Sequence, residues 1–279
     1  MSVRPVGQPR GDRYGRCRLC GEVQQLSKTH VPPKGAGNRG EARPAVERTG
    51  DDGVPTLDLG RPSQGGMWGY WFCIDCNHKT GVWDEEYIRL HQHLVLHLHD
   101  GPELPRQRLM GTLPQLDVGA VARSMWAWSF ALVPTLFDRY PATAQAVRLG
   151  EPANTPDDVD LLLGITMSLR IWATAQPDAW LVESDPSGVH QRASGLVVPG
   201  PRVELLPITA VASPPFSVVL AHRDRPSGVP HAVVNEWLLD RAGACRDVVI
   251  DLPMIVVRGE DRAGPLSYAS FMPAAAASA

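Results

Sequence analysis

The spacing of apolar and polar positions changes character several times along the chain. Residues 1–14 hold no apolar periodicity and read as a disordered tail. Residues 35–66 are rich in Gly, Pro, Arg and Asp, which predicts a long mobile insert. Aromatic density then rises at GGMWGYWFCIDCNHKTG, where Met67, Trp68, Tyr70, Trp71 and Phe72 predict a strand running into a Cys-x-x-Cys pair. From WDEEYIRLHQHLVLHLHD the spacing turns helical. Asp84, Glu85 and Glu86 suit a first helical turn, where the helix dipole favours negative charge, and Gly101 and Pro102 suit the end. Residues 101–114, with Pro102, Pro105 and Pro114, read as a linker.

Beyond Gln115 the pattern predicts helices first and strands afterwards. LDVGAVARSMWAWSFALVPTLFDRY is apolar at helical spacing on more than one face, so its helix is buried, and Pro134 kinks or divides it. PATAQAVRLG predicts a short helix stopped by Gly150. After Asp157 come short apolar runs broken by turn residues: VDLLLGITM, AWLVES, ASGLVV, FSVVLA, AVVNEWLL and DVVIDLPMIVV. These predict strands, with SDPSGVH and DRPSGVP as hairpin turns. Helices followed by strands imply an α+β domain over residues 115–273, and residues 274–279 read as a second disordered tail. No internal repeat is visible.

Composition narrows the class. With 279 residues, 43% hydrophobic and 20% charged, the chain can bury a substantial core. No apolar run reaches bilayer length, so no membrane is expected as a partner. The N-terminus lacks an apolar signal region, which points to a cytoplasmic protein. Arginine outnumbers lysine 24 to 3, a bias that suggests a GC-rich bacterial or phage genome. The net charge of −3 is unevenly spread: residues 1–50 carry +6 and the rest −9. A basic N-terminal segment fits contact with phosphate, and equally fits a solvated tail.

Four of the five cysteines form two Cys-x-x-Cys pairs, Cys17/Cys20 and Cys73/Cys76. Two such turns can close a tetrahedral zinc site, and four thiolates leave no open position, so such a zinc is structural. The long gap between the pairs is tolerable because loop closure grows only with the logarithm of length. The other readings are unmetallated thiols or a redox pair, although the βαβ setting of a thioredoxin-like motif is missing.

Between the pairs lies LSKTHVPPK, and the second pair runs directly into CNHKTG. Cys17, Cys20, His30, Pro32, Cys73, Cys76, Asn77 and Lys79 together resemble the HNH, or ββα-metal, endonuclease family, in its subgroup with two zinc knuckles. The resemblance covers roughly residues 15–100. It implies a small zinc-stapled, treble-clef-like ββα-metal module ahead of the α+β domain. It also implies metal-dependent hydrolysis of DNA phosphodiester bonds. His30 would be the general base, and Asn77, with His78 as a substitute ligand, would serve a catalytic magnesium or manganese ion. Lys28, Lys34, Arg39 and Lys79 would hold the DNA backbone. The chain departs from the family in two places. Thr29 stands where an acidic or histidine ligand usually precedes the base. No Asn lies a few residues before the second knuckle, and Asn38 comes much earlier; Asp75 or Asp84 are the carboxylates available to compensate. The alternative is a catalytically degenerate, zinc-finger-like module that binds nucleic acid or protein.

The remaining features have plainer readings. His93 and His97 share a helical face, a possible metal pair, but polar or core-edge histidines, with His91 and His99, are the simpler account. Trp68, Trp71 and Trp83 suit a small core or base stacking. Trp126, Trp128, Trp172, Trp180 and Trp237 suit the core, and Cys245 a small buried hydrophobe. Walker, G-x-S-x-G and dinucleotide fingerprints are absent. Residues 115–273 would select a target, bind a protein partner or form a homo-oligomer.

Overall fold

The computed structural model describes residues 13–49, 55–59, 64–99, 108–166, 171–175, 180–185, 208–213, 215–223, 231–257 and 271–273. It is an α+β protein. The expectations for residues 1–12, 100–107 and 274–279, for the run ASGLVV and for most of the two turn motifs fall outside the described residues.

Strand β1 (Tyr14–Arg16) leads through the first cysteine pair to β2 (Val23–His30) and a 3-10 turn at Lys34–Ala36. Strands β3 (Glu41–Thr49) and β4 (Pro55–Leu59) follow, then β5 (Trp68–Cys73) and helix α1 (Ile74–His99). β1, β2 and β5 form a three-stranded antiparallel sheet in that order. Two differences from the sequence reading stand here. The insert expected to be irregular holds β3 and β4, because β3 finds a partner far along the chain, a pairing that no local pattern announces. Helix α1 begins at Ile74, within the second cysteine pair, so Asp84 lies about 15 Å up the helix from its start rather than in the first turn.

Strand β6 (Arg108–Leu116) occupies much of the expected linker. Its register with β13 (Arg246–Val257) shifts between Arg246 and Val248, opposite the segment that contains Pro114 and Gln115. A bulge there accommodates Pro114 without loss of a ladder bond and Gln115 at a φ of 50°.

Helix α2 (Val118–Leu132) is buried at every residue, which matches its all-round apolar sequence. Asp117 caps it, accepting from Ala120 N at 2.8 Å. Pro134 separates it from α3 (Leu136–Arg139). α4 (Pro141–Leu149) opens with proline in its first turn and closes on Gly150 in the left-handed conformation. Arg123, fully buried on α2, donates to the carbonyls of Gly119 (2.7 Å) and Asp240 (2.9 Å), and also to that of Glu151.

The strands that follow are β7 (Val159–Thr166), β8 (Ile171–Ala175), β9 (Trp180–Asp185), β10 (Thr209–Ser213), β11 (Phe216–His222), β12 (Ala232–Val233) and, after β13, β14 (Phe271–Pro273). The large sheet runs β14-β13-β7-β11-β10-β8-β9-β3-β4, with β12 also on β7 and β6 on β13. Only β13 and β7 pair in parallel; the other described pairs are antiparallel. The run AVVNEWLL yields just β12 and a 3-10 turn at Asn235–Leu239, whose Trp237 and Leu238 are buried. Cys245 is exposed in the turn ahead of β13, not buried as its apolar character suggested.

One buried cluster links the cysteine-bearing segment to the rest of the chain, from Cys17 and Leu19 through Tyr87 and Trp126 to Leu252. Arg18 donates to the Ala131 carbonyl near the end of α2, and Arg16 pairs with Asp138 at 2.8 Å. The first cysteine turn is therefore docked against α2 and α3.

Candidate metal centre and histidine strand

The two cysteine pairs come together because β5 feeds α1 without a loop. Cys73 is the last residue of the strand and Cys76 sits in the first helical turn. The turn after β1 carries Cys17 and Cys20 across to them. One ligand sulfur from each of the four lies within 4.8 Å of the others, and the Cys20 and Cys73 sulfurs are 4.0 Å apart. Zinc–sulfur bonds of about 2.3 Å in a tetrahedron set the sulfurs about 3.8 Å apart, so the donor set and spacing fit zinc. Backbone N–H groups already point at the sulfurs: Cys73 N to Cys17 at 3.3 Å and Cys76 N to Cys73 at 3.4 Å. Gln24 Nε2 approaches Cys20 at 3.7 Å.

Electrostatics says the same. A hydrogen bond from Cys76, with backbone N–H groups assisting, draws the Cys17 thiol down to about 5. Burial first, and the neighbouring thiolates after it, push Cys20 up to about 11; the Cys76 thiol also rises, through its bond to Cys17 and burial. Four thiolates cannot share this volume without a cation, and a dication removes that conflict. The four cysteines could hold a metal ion such as zinc.

His30 ends β2. It stands opposite Trp68 on β5, and Lys28 stands opposite Tyr70. Directly opposed residues share a face, so these four side chains lie on one side of the sheet. Thr29 and its partner Gly69 lie on the other and are buried. His30 Nδ1 is buried without a hydrogen-bond partner. Burial, then the charges of Lys34 and Lys28, hold the imidazole down to about 4, so it is neutral at physiological pH.

Asn38 is the residue that sequence spacing missed. Fully buried, it donates from Nδ2 to Pro32 O (2.6 Å) and Met67 O (2.9 Å), and its Oδ1 accepts from Met67 N (2.6 Å). Gly66 N adds a bond to Gly40 O at 2.7 Å. Asn38 thus clamps the end of the histidine strand to the start of β5, across the neck of the β3–β4 insert. Counting back from the second cysteine pair passes over it because the insert inflates the count. The legible signal was Gly65–Gly66, both at positive φ where the chain re-enters the sheet. At Gly66 an added Cβ would come within 2.2 Å of Asn38 Oδ1.

Asn77, in the first turns of α1, donates from Nδ2 to Lys28 O at 3.1 Å and so ties the helix to the histidine strand. His78 is exposed, as is Asp75, and Lys79 is half-buried. Lys28 Nζ lies 3.7 Å from the centroid of the Trp68 ring. Lys34 opens the 3-10 turn, and Arg39 Nε donates to its carbonyl at 3.2 Å. Asp84 is committed elsewhere: it accepts from Ser124 Oγ (2.5 Å) and Trp128 Nε1 (3.4 Å), and burial raises its carboxyl to about 7. Trp71, Trp126, Trp128 and Trp237 are buried, whereas Trp68 and Trp83 are partly exposed; the side chains of Trp172, Trp180, His97 and His99 lie outside the description. His91 is buried at the edge of the aromatic group of Tyr87 and Phe216, a core-edge position.

Among the described residues no helix is long and apolar enough to cross a membrane. No family model, no curated protein and no solved structure matches the chain.

Proposed function

We propose that residues 15–100 act as a zinc-stapled, treble-clef-like ββα-metal module, and that the protein is a metal-dependent endonuclease of the HNH type acting on DNA. The observation that carries this reading is His30. It is neutral and half-buried, and it ends a strand held by Asn77 on one side and by Asn38 on the other. General-base catalysis contributes about 10²–10⁴ in rate when the base titrates near the working pH, and a bound phosphate's negative charge would raise the imidazole from about 4 toward that range. Asn77 Oδ1 would hold a magnesium or manganese ion, whose charge neutralises the phosphate oxygens. Lys28, Lys34, Arg39 and Lys79 attract the backbone of the substrate. Asn38 supports the resemblance too: its bonds to Met67 bring an asparagine beside the segment just before the second knuckle, where the sequence has none.

A second reading rests on Thr29. It is buried on the face opposite His30, and an uncharged hydroxyl is a poor ligand for magnesium. That favours a degenerate module that binds nucleic acid or protein without cutting. Supercoiled plasmid incubated with zinc-loaded protein and magnesium or manganese separates the two. Nicking that stops with His30→Ala, at unchanged zinc content, supports the endonuclease. Intact plasmid with folded, zinc-loaded protein across several DNA substrates refutes it.

A further inference from the structure

The face of the small sheet that carries His30 also carries a continuous strip of cations and aromatic rings. Lys28 Nζ sits 3.7 Å over Trp68; Trp68 meets Tyr70 edge to face at 5.7 Å; the Arg13 guanidinium lies 5.5 Å from the Tyr70 ring. Trp68 and Tyr70 are partly exposed, and Arg13 and Lys28 are exposed. Tyr70 packs one side against the core, whereas Trp68, partly exposed beside Lys28, is not part of that cluster.

We propose that this strip binds unpaired, single-stranded DNA leading to His30, with bases stacked on Tyr70 and Trp68 and phosphates on Lys28 and Arg13. This deepens the endonuclease reading and rests on it. Charge complementarity selects an anion: the charges of Lys34 and Lys28 both bear on His30, and Arg13 stands at the Tyr70 end of the strip. The rings select an unpaired strand, because duplex bases already stack on one another and offer no free π-face. The cations over the rings are exchangeable. An exposed cation–π contact is weaker than a stacked base, so an arriving base takes the ring face while the cation moves to the adjacent phosphate.

The test is binding, kept apart from cutting. Zinc-loaded full-length protein, without added magnesium or manganese, is titrated into fluorescein-labelled oligothymidylate and into a duplex of equal length, and anisotropy is read. The expected result is tighter binding of the single strand, about tenfold weaker for Tyr70→Ala and retained by Tyr70→Phe, which keeps the ring. Lys28→Gln should lower the salt dependence by about one phosphate contact. Zinc content and melting temperature report whether each variant is folded, and the wild-type preference needs no variant. Equal or tighter duplex binding, or no effect of removing the Tyr70 ring, overturns the proposal. So does failure to bind either DNA at low salt. In each case plasmid nicking by the same preparation decides separately whether the endonuclease reading survives.

Discussion

Asn38→Ala should be one of the most damaging substitutions outside the cysteines. The side chain is fully buried and makes three hydrogen bonds, to Pro32 O, Met67 O and Met67 N. Truncation strands Pro32 O and Met67 N, while Met67 O keeps its bond from Val31 N at 3.2 Å, and a buried polar group left unpaired costs about 1–3 kcal/mol. The vacated space is roughly that of one water, which can re-satisfy one of them. The expected loss is therefore about 2–5 kcal/mol. Asn38→Asp should be no better: it keeps the acceptor for Met67 N but turns a carboxylate oxygen toward two carbonyls. Urea unfolding of zinc-loaded protein measures the loss directly, as a lowered midpoint at unchanged slope. A second readout is local. His30 stays neutral because the clamped strand end keeps it from water, so loosening that end should raise its pKa from about 4 toward the ordinary value, as followed by NMR titration. A loss under about 1 kcal/mol with an unmoved His30 titration would refute the clamp.

Zinc should be present at one ion per chain by elemental analysis, and Cys73→Ser or Cys76→Ser, or prolonged chelation, should release it and unfold the small sheet, seen as lost amide protection in β2 and β5. Arg123→Met should destabilise by about 2–5 kcal/mol in the same urea assay, because the carbonyls of Asp240 and Glu151 lose their donor, whereas Gly119 keeps its helical one. Asp84 titrates with the opposite sign to a salt-bridged carboxylate. Its folded pKa of about 7 lies above the unfolded value, so its contribution is complete below about pH 4 and is lost as pH rises toward 7. Asp84→Asn should remove that decline, on the order of 2–4 kcal/mol across the window, visible as a variant melting temperature that rises relative to wild type as pH increases from 4 to 7.

The legible parts of the fold were those that local chemistry enforces. Pro134 divides α2 from α3, Gly150 ends α4, and the aromatic run before Cys73 is a strand, each from a residue whose backbone leaves little choice. The cysteine cluster was legible because two short-spaced pairs admit few geometries. What was not legible depended on distant partners. β3 is a strand because β9 receives it, and β6 because β13 does. Asn38 looked misplaced because distance along the chain differs from distance in space: it lies 29 residues from Met67 and bonds to it twice. Asp84 was misread because a cluster of acids marks a helix start only where no stronger constraint begins the helix earlier, and here the second cysteine pair does so.

The excursion of β3 and β4 has one more consequence. The polypeptide leaves the small sheet just past Asn38, adds two strands to the margin of the large one, and returns at Gly66. Neither half is then a transplantable unit. A fragment ending near residue 100 would carry β3 and β4 with no sheet to join, and one starting near residue 115 would leave β9 with a bare hydrogen-bonding edge, an invitation to aggregate. The cysteine-bearing segment and the strands it leans on should therefore be inherited, expressed and lost together.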